Sequence, residues 1–86
     1  MEPSIIIQPD GTRRLVEPQD DESFDLEELQ AIVGGYIQLV TTLDDRYMIC
    51  DEDGLSKQLP VNDLASIYAG QVIVGTVLIC DKNLLT

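Results

Sequence analysis

The sequence predicts one α+β domain over residues 1–86, a mostly antiparallel sheet of about five to six strands with two helices, in the order ββ-α-βββ-α-β. Short β-branched runs are separated by turns rich in proline, aspartate and glycine, at the spacing that hairpins use. Two segments change to a helical period, and each ends at a glycine. No strand-helix-strand unit recurs, so hairpins set most of the strand directions. Eighty-six residues leave room for a single core, without a linker or an internal repeat.

The first element is Ser4-Ile5-Ile6-Ile7-Gln8, turned by Pro9-Asp10-Gly11-Thr12 into Arg13-Arg14-Leu15-Val16, a β-hairpin whose return strand ends near Pro18. Leu26, Leu29, Ile32 and Val33 then recur at helical spacing. Ser23 or Asp25 can cap this helix; with Asp25 as N-cap, Glu28 falls at N3 and completes an acidic capping box. Gly34-Gly35 ends it. Tyr36 to Thr42 reads as a strand, Leu43-Asp44-Asp45-Arg46 as a turn, and Tyr47 to Cys50 as the returning strand. Asp51-Glu52-Asp53-Gly54 leads into the alternating segment Leu55 to Leu59, which predicts the third strand of a meander. Asn62 caps a second helix running to Ala69, with Gly70 as its stop. The apolar run Val72 to Cys80 predicts a central strand, or two short strands bent at Gly75.

A net charge of −11, from 16 acids against five bases, disfavours direct binding of nucleic acid or an anionic membrane. Its natural complement is a basic surface on another protein, although acidity also serves solubility alone. No apolar run is long enough to cross a bilayer, and the opening Met1-Glu2-Pro3-Ser4 lacks the basic start of a secretory signal, so a cytoplasmic location is expected. Cys50 and Cys80 sit inside apolar runs and read as reduced, buried core residues. Without histidine, the common zinc spacings cannot be assembled, and no metal or cofactor is expected.

Catalytic groups are not apparent. The serines and cysteines lack a histidine base, Lys57 and Lys82 have polar neighbours, and Gly34-Gly35 follows a helix where a phosphate cradle would precede one. Asp51-Glu52-Asp53-Gly54 fails the EF-hand pattern, because Pro60 stands where a bidentate glutamate is needed. Asp44-Asp45 and the acids of 51–53 would form an acid/base pair only if the two turns converged in an apolar pocket. Candidate partner-binding residues are therefore the acids Asp20, Asp21, Glu22, Asp25, Glu27, Glu28, Asp44, Asp45, Asp51, Glu52 and Asp53. Arg13 and Arg14 with Tyr36 and Tyr68 form an alternative set for a small anionic ligand; neighbouring strand residues face opposite ways, so they would need a bulge or a dimer seam. Ordinary surface ion pairing for the arginines and a core-edge position for the tyrosines are the simpler expectations.

Ile7-Gln8-Pro9-Asp10-Gly11, with Thr12 following, Ala31-Ile32-Val33-Gly34-Gly35-Tyr36-Ile37, Leu59-Pro60-Val61-Asn62 with Ala65 three on, and Gln71-Val72-Ile73-Val74-Gly75-Thr76-Val77-Leu78 together resemble a small domain-of-unknown-function family. The likeness spans nearly the whole chain. It implies an origin in bacteriophages, plasmids or bacteria and brings no catalytic residues. The resulting expectation is a phage or mobile-element accessory protein, not an enzyme, working in the host cytoplasm. It would bind and inhibit or redirect a host protein with a basic surface, such as a nuclease or other defence component. An oligomeric protein holding a nucleotide-like signal is the alternative, and a homodimer fits the open strand edges of so small a sheet.

Overall fold

The computed structural model describes residues 3–19 and 22–85. Strands β1 (Ser4–Ile7) and β2 (Arg13–Val16) form the first hairpin. Its turn closes by Gln8 N–H donating to Thr12 O and Gly11 N–H donating to Gln8 O, both at 2.9 Å. Asp10 Oδ1 accepts from Thr12 N–H at 2.8 Å, which is why an aspartate stands there.

Helix α1 (Leu26–Val33) begins in the complete capping box, with Asp25 accepting from Glu28 N–H and Glu28 accepting from Asp25 N–H. It ends at Gly34, whose φ of 87° lies where a Cβ is disfavoured. Strands β3 (Ile37–Thr41) and β4 (Tyr47–Asp51) form the second hairpin. Helix α2 (Asp63–Ala69) is capped by Asn62, and β5 (Val77–Cys80) follows before a short 3-10 turn at Lys82–Leu84.

The five strands form one sheet in the order β2-β1-β5-β4-β3, with every neighbouring pair antiparallel. Side chains alternate across it. Ile7, Met48, Cys50, Val77 and Ile79 face α2 and pack with Ala65 and Ala69. Ile6, Ile49, Leu78 and Cys80 face α1 and pack with Phe24, Leu29 and Val33. The sheet thus carries one helix on each face, and its centre is β5, whose four residues are all buried. Phe24 is wholly buried, and hiding a side chain of that size contributes roughly 2 to 3 kcal/mol.

The α+β class, the five antiparallel strands and both helices agree with the sequence reading. One expected strand is absent. Residues 52–58 form successive turns, Gln58 has a φ of 58°, and Leu55 is 78% exposed. The cause is topological: β5 occupies the side of β4 that a third meander strand would need. The final apolar run divides at Gly75, where φ is +79°; β5 starts only at Val77, and Val74 makes an isolated bridge with Val61. The positive φ favours glycine there, and a Cβ on Gly75 would lie 2.8 Å from Leu59 Cδ1 and push that side chain aside.

Candidate functional site

The nominated acids separate into two groups. In the first, each carboxylate is already engaged by the fold. Asp25 and Glu28 close the start of α1, and Glu28 Oε2 also accepts from Gln19 N–H at 3.0 Å. Asp44 accepts from the Thr42 hydroxyl and from Arg46 Nε at 3.0 Å; the hydroxyl first and the guanidinium second hold its carboxyl below the usual aspartate range. Asp45, in the left-handed region at φ 64°, receives Lys82 Nζ at 2.6 Å. Asp51, with its side chain 2% exposed, receives Lys57 Nζ and the N–H of Asp53, both at 2.8 Å. The lysine bond lowers its pKa against the opposing effect of burial.

The second group is Glu27, Glu52 and Asp53. All three are exposed, and their side chains have no hydrogen bond or ion pair among the described residues. Glu22 is exposed and engaged elsewhere in the chain, while Asp20 and Asp21 lie outside the described residues.

The cations are distributed unevenly. Arg46, Lys57 and Lys82 each hold an aspartate, and Arg46 and Lys82 also lie over the rings of Tyr68 and Tyr47 at 6.0 and 5.4 Å. Arg13 and Arg14 sit on the opposite edge, exposed and without an ion pair among the described residues, so the pairing expected for them is not formed. The β3 side therefore presents unpaired carboxylates, and the β2 side presents unpaired guanidinium groups.

Beside the free acids is an open hollow of about 520 Å³, lined by Gln30 and Ala31 of α1, Gly35 and Tyr36 of the connection, and Asp53 and Lys57 of the turn region. Tyr36 is 69% exposed, which corrects the core-edge expectation for it; Tyr68 is half-buried against the α2-side core, as expected. Glu27 lies one helical turn before Ala31 on the same stripe of α1.

The alternative ligand set is not assembled within one chain. Arg13 and Arg14 pair with Ile7 and Ile6 and point to opposite faces of β2, whereas Tyr36 leads into β3 four strand spacings away, about 19 Å. The two acidic turns do not converge either: Asp44-Asp45 precedes β4 and 51–53 ends it, about 17 Å apart along the strand. Among the described residues no group of three metal-binding side chains occurs, and no helix is long and apolar enough to cross a membrane.

Sequence reasoning missed the hollow, which draws on three separate segments. It also missed that Asp44, Asp45 and Asp51 would be paired with cations: the Asp45–Lys82 contact spans 37 residues, whereas Arg46 and Lys57 lie two and six residues from their aspartates, a signal the sequence did carry. A signal for the neighbouring edge was present: Tyr36 to Thr42 contains no charged residue in a chain that is 24% charged.

Fold and site together define a small antiparallel α+β domain with a helix on each face and one acidic side. The chain belongs to the family described as a domain of unknown function (DUF3846), which it matches over residues 1–84. Searches of curated proteins and of solved structures found no match.

Proposed function

We propose that this protein is a non-enzymatic binding module that docks a basic surface of a host protein through Glu27, Glu52 and Asp53 around the hollow at Tyr36. The observation that carries this reading is the division of charge. Every cation on the β3 and β4 side is tied to an aspartate, so the carboxylates left over there are free to meet a partner. Among the described residues no buried side-chain polar atom lacks a hydrogen-bond partner, so the fold beneath that surface is internally satisfied. Resemblance of its motifs to proteins of phages and plasmids motivates the wider reading: an accessory protein of a mobile element acting in the host cytoplasm. It would occupy the nucleic-acid-binding face of a nuclease or other defence component and so inhibit or redirect it. Charge complementarity of this kind speeds encounter and is weakened by salt.

The test is capture from host lysate at low and high salt, with the full chain as bait and the variant Glu27→Gln/Glu52→Gln/Asp53→Asn beside it. A host protein retained by the native chain at low salt, released at high salt and lost from the variant supports the reading. Equal retention by both baits, or catalytic turnover by the purified chain, contradicts it.

A further inference from the structure

We propose that the free edge of β3 accepts an extended strand from the partner, an apolar strand flanked by lysine or arginine; this rests on the acidic-docking reading above and specifies how the partner is held. Thr42 N–H donates to Arg46 O at 2.8 Å and Glu52 N–H donates to Tyr36 O at 2.9 Å. Antiparallel alternation then turns the backbone groups of residues 36, 38, 40 and 42 toward β4. Those of Ile37, Leu39 and Thr41 point outward and have no partner among the described residues.

Edges are normally blunted by charge, proline or a bulge. The other edge follows that rule, since β2 carries Arg13 and Arg14. The β3 edge does not: Ile37-Gln38-Leu39-Val40-Thr41 is uncharged and regular, and Leu39 is 48% exposed. An edge left open in a chain of −11 is placed for strand addition, in which main-chain bonds hold the ligand and side-chain pockets select it.

Charge decides the occupant. The Tyr36 end of β3 is bordered by Glu52 and Asp53, and the hollow there offers the Tyr36 ring and the Asp53 carboxylate to a long cationic side chain, with Lys57 already neutralised by Asp51. A second copy of this chain, paired antiparallel on the same edge, would set Glu52 and Asp53 near the 44–45 turn of its mate, where Arg46 and Lys82 are already held by Asp44 and Asp45 and no cation is left to meet them. A strand flanked by lysine or arginine supplies that cation.

The probe is a synthetic peptide of alternating valine and threonine with a lysine pair at each end, compared with the same peptide carrying glutamates there. The lysine peptide is expected to bind at least about tenfold more tightly. It should slow amide exchange at Ile37, Leu39 and Thr41, with little change at Gln38 and Val40, whose N–H groups are already bonded. Thr41→Pro removes one outward N–H without touching a sheet bond or a charge, and should weaken binding about tenfold while the circular dichroism is unchanged. Uniform or absent protection, or full binding by Thr41→Pro, overturns the proposal. A dimer formed through these same amides, seen by sedimentation, overturns it in favour of a second copy. Salt-sensitive capture of a host protein that Thr41→Pro leaves undiminished overturns strand addition while the acidic-docking reading stands.

Discussion

The side chain of Asn62 donates to the main-chain carbonyl of Ile7 at 3.0 Å, joining the cap of α2 to the end of a strand 55 residues away. The same amide donates to Gly75 O at 2.8 Å, and its Oδ1 accepts from Ala65 N–H at 3.1 Å. Asn62 is fully buried, and its three bonds tie the start of α2 to the end of β1 and to the chain at Gly75. Asn62→Ala is predicted to cost about 3 kcal/mol, from a stranded Gly75 carbonyl, a lost bond to Ile7 O and a lost cap. Asn62→Asp keeps the cap but turns a donor into an acceptor facing two carbonyls, and should cost at least as much. Urea unfolding of both variants checks this, and a cost below about 1 kcal/mol for Asn62→Ala would contradict it.

Asp51 predicts a specific pH dependence. Its folded pKa lies below the ordinary value of 3.8, chiefly because of Lys57. A carboxylate lowered by folding stabilises the protein fully above its unfolded pKa, and that contribution disappears as pH falls through the folded value. Asp51→Asn should therefore be less stable than the native chain near neutrality, by about 2 kcal/mol for a charge-assisted bond at a buried acid. The gap should close as pH is lowered below 3.8. Paired denaturation curves measure it, and a gap that does not narrow in acid removes Asp51 as its source.

The thiols should be inert in the folded protein. Cys50 faces α2 and Cys80 faces α1, so the sheet lies between them and no disulfide can form without unfolding. Burial pushes the Cys80 thiol up to about 11 and raises Cys50 as well, with Asp81 and Asp51 adding to the respective effects. At pH 8 the Cys80 thiolate fraction is then about one in a thousand. A colorimetric thiol reagent should find neither cysteine in native protein and both in denaturant.

The arginines of β2 act as edge guards on this account. Replacing them as Arg13→Val and Arg14→Val removes exposed charge from a strand whose outer side is unpaired. Self-association is predicted to increase, readable as a larger sedimentation coefficient at high concentration. The lysine-flanked peptide should still bind at the β3 edge, because neither arginine lies near it.

What the sequence disclosed was local. The capping box at Asp25 and Glu28, the stop at Gly34, the cap at Asn62 and the Pro9-Asp10-Gly11 turn are decided within a few residues, and each stands as its side-chain chemistry requires. The false strand at Leu55 to Leu59 had suitable alternation but no free neighbour, because β5 returns from far along the chain to pair with β4. The site was legible only in part for the same reason. Asp44, Asp45, Asp51, Glu52 and Asp53 look alike in sequence, and only the fold brings Lys57 and Lys82 to two of them and leaves the last two free.

The most direct measurement of the proposed docking is the rate at which the full chain associates with a host protein captured at low salt, as a function of salt, for the native protein and for Glu27→Gln/Glu52→Gln/Asp53→Asn. Steering by free carboxylates predicts a rate that falls about tenfold or more as ionic strength rises, and a variant that is slow from the outset with little salt dependence. Identical rates for the two proteins, or a native rate indifferent to salt, would contradict docking through these three acids.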